Sequence, residues 1–131
     1  MPDCIFCKIA KKEIPSSIIY EDDEILVFLD AFPASIGQSL VMPKKHSSYI
    51  FDIKEKEYSN LFLKAKKIAK AIDSALSPIR TCIVVEGFLV EHVHIRLHPC
   101  YGKHLNLKPI EPKPSQQELK ETTSKIKKFL R

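Results

Sequence analysis

Hydrophobic and polar positions change period along this chain, and the changes mark its elements. Ser17 to Tyr20 and Ile25 to Asp30 are β-rich bursts separated by the acidic turn Glu21-Asp22-Asp23-Glu24, which predicts a hairpin. Ser39 to Met42 reads as a third strand, preceded by Gly37 and closed by Pro43. The period then lengthens. Tyr58, Leu61, Phe62, Ala65, Ile68, Ala69, Ile72 and Leu76 recur at helical spacing, with Lys64, Lys66, Lys67 and Lys70 between them. Asp52-Ile53-Lys54-Glu55 fits a capping box with Asp52 as N-cap, and Pro78 ends the segment. Two further strands are predicted at Thr81 to Val85 and Val90 to Leu97, with Gly87 between them. The expected class is α+β: an antiparallel five-stranded sheet with a long helix and a C-terminal helix.

The tail has another character. Pro109, Pro112 and Pro114 predict a stiff extended linker. Ser115-Gln116-Gln117-Glu118 is a second capping box, after which Leu119, Ile126 and Leu130 supply a thin apolar stripe. Such a helix is too short and too polar to stand alone, so it is expected to dock on its own domain or on a neighbouring subunit. The organisation read from this is a domain over 1–107 and a linker with helix over 108–131.

With 131 residues there is room for one core, and 44% hydrophobic with 28% charged residues suits a globular domain. No apolar run approaches the roughly 20 residues of a membrane span. Met1-Pro2-Asp3-Cys4 lacks the basic and apolar regions of a secretory signal, so a cytoplasmic location is expected, with no membrane partner. The net charge of +5 suits an anionic ligand, but its lysines are spread along the chain and thick in two predicted helices. A basic strand interleaved with aromatics, the mark of an RNA-binding sheet, is absent, which argues against nucleic acid as the main partner. Of four cysteines, Cys4 and Cys7 form a Cys-x2-Cys pair, half a metal site or a redox pair. Cys82, within Cys82-Ile83-Val84-Val85, reads as a buried small hydrophobe.

The chemistry concentrates in His92-Val93-His94-Ile95-Arg96-Leu97-His98-Pro99. If this is a strand, His92, His94, Arg96 and His98 share one face while Val93, Ile95 and Leu97 face the core. Alternate residues lie roughly 6.6 Å apart, so the row would line a phosphate-sized groove. Neutral imidazole is a good nucleophile near neutral pH. A guanidinium beside it pairs with two phosphoryl oxygens at once.

That row resembles the signature of the histidine triad superfamily, His-φ-His-φ-His-φ-φ with φ hydrophobic. The likeness extends along the chain: Cys4-Ile5-Phe6-Cys7-Lys8-Ile9 with Glu13-Ile14-Pro15, Tyr20-Glu21-Asp22 leading to Phe28-Leu29-Asp30, Gly37, and Leu40-Val41-Met42-Pro43-Lys44-Lys45-His46. The tail from Lys108-Pro109 is similar to those of bacterial members. The resemblance implies an antiparallel sheet with helices, paired into a homodimer. It implies hydrolysis or transfer at the α-phosphorus of purine nucleotides, with the middle histidine, His94, as nucleophile. Asp30 falls where the family holds the ribose hydroxyls, and a carboxylate can accept from both. Phe6, Ile9 and Ala31 fall where the base sits in an apolar slot. Members with the Cys-x2-Cys pair commonly carry a structural zinc, which here would be held by Cys4, Cys7, His46 and His92. Four such ligands make a closed tetrahedral site with no position for water. His98 and Cys100 are the lower-ranked candidates for the fourth ligand.

Several positions depart from the family pattern. The third triad histidine is Arg96, and the usual Gly-His before the third strand is Gly37-Gln38. Gly87-Phe88-Leu89-Val90-Glu91 stands where many members have Gly-Gln and then Ser or Thr. His98 is not a family position. Two functions follow: an enzyme acting through nucleotidylated His94, with Gln38 and Arg96 among its nucleotide-binding residues, or a zinc-stabilised nucleotide-binding or scaffold protein with weak catalysis.

Overall fold

The computed structural model describes residues 3–130. Met1 and Pro2, where the reading of the N-terminus for a secretion signal begins, and Arg131 lie outside the described residues. Strands β1 (Ser17–Glu21), β2 (Ile25–Leu29), β3 (Ser39–Pro43), β4 (Arg80–Val84) and β5 (Ile95–Cys100) form one antiparallel sheet in the order β1-β2-β3-β5-β4. Helices α1 (Ile5–Ala10), α2 (Glu55–Leu76) and α3 (Gln116–Lys127) complete the fold. Among the described residues no helix is long and apolar enough to cross a membrane.

Both faces of the sheet are buried, which explains why β2 is apolar throughout instead of alternating. Ile25, Val27 and Leu29 join Val41, Ile95 and Leu97 in a core under α2. Leu26 and Phe28 join Leu40, Met42 and the α1 residues Phe6 and Ile9 in a smaller core on the other face. The helix α2 drives its stripe Leu61, Ala65, Ile68 and Ile72 into the larger core. Ser77, in the left-handed region at φ 52°, ends it with its N–H bonded to the Asp73 carbonyl at 3.0 Å, one residue before Pro78.

The start of α2 differs from expectation. Ile50–Asp52 forms a short 3-10 turn in which the Asp52 N–H is bonded to the Tyr49 carbonyl, so Asp52 is spent before the helix begins. Lys54 is the N-cap, and its N–H donates to Glu57 at 3.3 Å. The second capping box forms as read: Ser115 Oγ accepts from the Glu118 N–H at 3.1 Å, and Glu118 accepts from the Ser115 N–H at 2.9 Å. Leu119 and Ile126 bury the face of α3 against β1 and α2 of the same chain.

The last predicted strand is also displaced. Pairing of β5 begins at Ile95, opposite Val41, and runs on through Pro99 to Cys100. Before Ile95 the backbone leaves the ladder, and the Val93 N–H donates to the Ser47 carbonyl at 2.7 Å. Gly37, at φ 92°, makes the turn into β3, and a Cβ there would run into Leu76.

Candidate functional site

Two clusters occupy the α1 side of the sheet. The first is built on the α1 N-terminus. Cys4 caps the helix, its Sγ accepting from the Cys7 N–H at 3.4 Å, so the Cys-x2-Cys spacing turns both sulfurs to one side. The loop after β3 brings His46, whose Nδ1 lies 3.3 Å from Cys7 Sγ. His92 places Nδ1 at 3.5 Å from both sulfurs, and the four ligand atoms lie within 4.8 Å of one another. Tetrahedral coordination with Zn–S about 2.3 Å and Zn–N about 2.0–2.1 Å sets S···N edges at about 3.6 Å. The donor set fits. His92 Nε2 sits 2.7 Å from the Pro43 carbonyl, which can only accept, so Nε2 carries the hydrogen and Nδ1 presents its lone pair to the sulfurs. Neither His98 nor Cys100 belongs to this cluster.

The second is a cavity of about 650 Å³, within the usual range for a small-molecule site. Phe6, Ile9, Ala31, Phe28 and Leu40 give it an apolar wall, and Asp30, Gln38, Glu86, His94 and Arg96 give it polar groups. His94 holds its Nδ1 at 2.6 Å from the His92 carbonyl, so that nitrogen donates and Nε2 keeps its lone pair. Phe6 packs edge-on against the ring at 4.9 Å between centroids. Burial pushes the His94 pKa below that of a free imidazole, only partly opposed by the hydrogen bond to His92. The ring is therefore neutral at pH 7. Phe88 and Leu89 are 86% and 87% exposed, so they do not wall it off.

Asp30 is held from two sides. Its carboxylate accepts from the Phe32 N–H at 2.8 Å and from Gln38 Nε2 at 2.9 Å. Gln38 in turn accepts from the Ala34 N–H at 2.6 Å. Both ends of the buried Gln38 amide are thus engaged within the chain. Among the described residues the buried Arg96 Nε has no hydrogen-bond partner.

The structure corrects the groove expected from the histidine row. Only His94 and Arg96 line the cavity. His92 turns to the cysteines, and His98, 1% exposed, reaches neither cluster. Cys82 is half-buried and lines a different cavity, so it is not the closed core residue expected. Leu107 and the tail residues Pro109, Gln116 and Leu119 also line the main cavity, and so does Glu86. The tail's apolar stripe signalled docking but not this position.

His98 has a measurable consequence. Both its ring nitrogens are buried without a partner among the described residues, and burial, with the Arg96 charge, pushes its pKa to about 4. The folded chain thus keeps His98 neutral while the unfolded chain protonates it below about pH 6.5. Stability from this group is complete above that pH and is lost as pH falls toward 4. At pH 5 the loss is about 2 kcal/mol. In urea unfolding at pH 7 and pH 5, His98→Leu is expected to lose about 2 kcal/mol less than the wild type. Equal losses would refute this account.

The comparisons with known proteins come down on one family. Residues 11–103 match the HIT domain. This chain belongs to the HIT family. Among the chain's HIT relatives, an uncharacterised HIT-like protein of Borreliella burgdorferi is 39% identical over 106 residues, 76% of each chain. The adenosine 5′-monophosphoramidase of Schizosaccharomyces pombe is 31% identical over 131 residues, 95% of this chain and 98% of that one. A HIT-like protein structure from Bartonella henselae superposes with a TM-score of 0.87 at 28% identity, covering 99% and 98% of the two chains. The five-stranded sheet with its long helix and C-terminal helix is thus the HIT fold.

Proposed function

We propose that this HIT protein binds a purine nucleotide in the large cavity and hydrolyses or transfers it at the α-phosphorus, through a nucleotidyl-His94 intermediate. The observation that carries the reading is a neutral imidazole, fixed through Nδ1, with Nε2 free and its ring in the wall of a cavity of ligand size. Nε2 attacks the α-phosphorus, the bond to the leaving group breaks, and the group departs with its electron pair. Water or another acceptor then takes the nucleotidyl group, and the imidazole is restored. Asp30 accepts from the ribose hydroxyls and Gln38 holds that carboxylate in place. Phe6, Ile9 and Ala31 sandwich the base. Arg96, whose side chain lines the cavity, donates to phosphoryl oxygen.

Cys4, Cys7, His46 and His92 hold a structural zinc in this reading. All four positions are protein ligands, so the metal supplies rigidity and no activated water. The tail over 108–131 acts as an appendage of the domain over 1–107 that closes one wall of the nucleotide cavity. The chain acts in the cytoplasm as a homodimer. Among the described residues the outer edge of β4 has no strand beside it, and Ile79 and Ile83 stand 56% and 51% exposed there.

The test is to quench a reaction with a labelled adenosine phosphoramidate and look for adenylate on the peptide carrying His94. Tight purine nucleotide binding with no adduct and no turnover would overturn the enzyme reading. Such a result would favour a nucleotide-binding protein with weak catalysis, which one substitution supports: Arg96 stands where the family has its third histidine. A guanidinium does not give up its proton, so it cannot act as general acid to a departing amine. General acid help is typically worth about 100 to 10,000-fold. Arg96→His is accordingly expected to raise turnover of adenosine phosphoramidate by about 10-fold or more, read as kcat. An unchanged or lower kcat would count against that role.

A further inference from the structure

The side chains that can bond a ligand in the large cavity are spread along the sheet. His94 and Arg96 stand at the start of β5, Asp30 and Gln38 at the end of β2 and the start of β3, and Gln116 on α3, which packs against β1. The order β1-β2-β3-β5 puts β1 three places from β5, and strands stand about 4.8 Å apart, so Gln116 lies on the order of 14 Å from the His94 end. Its support is fixed. Gln116 opens α3 directly after the N-cap Ser115, whose capping box Glu118 closes. Leu119, three residues on and so on the same helix face, is buried and lines the same cavity. Of the two carboxamides in the cavity wall, Gln38 has both ends engaged within the chain, whereas Gln116 is exposed.

From this arrangement we infer that Gln116 is a specificity-determining residue that reads the far edge of the base, so that the C-terminal tail selects purines carrying an amino or oxo group at C6. The inference rests on nucleotide binding in this cavity as proposed above. With phosphorus at His94 and ribose at Asp30, the base edge farthest from the phosphate faces α3. The apolar wall of Phe6 and Ile9 grips any flat ring and cannot tell one edge from another. A carboxamide can, because it holds a donor and an acceptor side by side. It accepts from the adenine amino group and donates to the neighbouring ring nitrogen. Turned over, it donates to the 6-oxo group of guanine and accepts from the adjacent ring N–H. Both purine classes are therefore taken. A pyrimidine, one ring shorter, does not reach from Asp30 to α3. A purine with only hydrogen at C6 reaches it but leaves the amide half-paired.

The test is isothermal titration of the full chain with AMP, GMP, CMP and purine riboside 5′-monophosphate, which has hydrogen at C6. Wild type should bind AMP and GMP within about 3-fold of each other, and the other two about 10-fold or more weakly. Gln116→Leu should bring AMP and GMP down to the level of purine riboside monophosphate, whose own affinity stays at the wild-type value. Gln116→Ala, which removes the amide without adding an apolar branch, should do the same. A loss shared equally by all four ligands, or no loss for AMP and GMP, would overturn the inference and leave nucleotide binding standing. Equal wild-type affinities for AMP and purine riboside monophosphate would do so too. Wild-type protein that binds none of the four would overturn the nucleotide reading, and this inference with it.

Discussion

His94→Ala is expected to lower kcat for adenosine 5′-monophosphoramidate by about 10,000-fold or more, while nucleotide affinity changes little. The size follows from what the substitution removes. In the proposed reaction the imidazole is the bond-forming atom, and no other nucleophile of the cavity is comparably placed. Among the cavity's polar groups, Asp30 is tied to Gln38 and the Phe32 N–H, Glu86 accepts from the Phe88 N–H, and Arg96 carries no lone pair to donate. Those groups remain in the variant, so ground-state binding survives and the loss falls on the chemical step. Isothermal titration with AMP and steady-state kinetics on the same preparation separate the two. A variant that keeps a tenth of wild-type kcat would remove His94 from the mechanism. A variant that loses AMP binding instead would make the ring a binding group.

The elements were legible wherever a local rule matched tertiary need. The β1–β2 hairpin was readable because Asp22 both breaks the apolar runs and ties the turn, accepting from the Glu24 and Ile25 N–H groups at 2.8 Å. The helix α2 was readable because one unbroken stripe faces one core. The capping residue was not, because Asp52 is within reach of two competing turns and the 3-10 turn takes it. Alternation in the histidine row correctly sent Val93, Ile95 and Leu97 inward. It failed in treating His92, His94, Arg96 and His98 as equivalent: His92 lies before the ladder, which starts at Ile95, and His98, inside it opposite Cys82, lies outside the cavity. Upstream, the Ser47 and Pro43 carbonyls decide where the backbone and the His92 ring go. Those partners lie more than 40 residues away in sequence. The wall made by Pro109 and Leu119 was invisible for the same reason: nothing local in a proline-rich tail says which surface it will cross.

Cys7→Ser is expected to abolish stoichiometric zinc binding and to lower stability by about 4 kcal/mol or more. In the proposed site the metal ties the N-terminus of α1 to the loop after β3 and the approach to β5, two segments already joined to each other through Val93–Ser47 and His92–Pro43 hydrogen bonds. The helix α1 has only six residues and cannot persist by itself. Its Phe6 nevertheless packs against the His94 ring, so loosening α1 also loosens the proposed nucleophile. Metal binding must displace a proton here, because burial pushes the Cys7 thiol pKa up. Zinc affinity should therefore fall as pH is lowered. Metal analysis, with urea unfolding in the presence and absence of EDTA, tests the whole chain of reasoning. EDTA should bring wild-type protein down to the stability of Cys7→Ser and leave the variant itself unchanged. Zinc retained one-to-one by Cys7→Ser would show that the sulfur is not a ligand. Wild-type stability indifferent to complete zinc removal would show that the metal does not anchor α1.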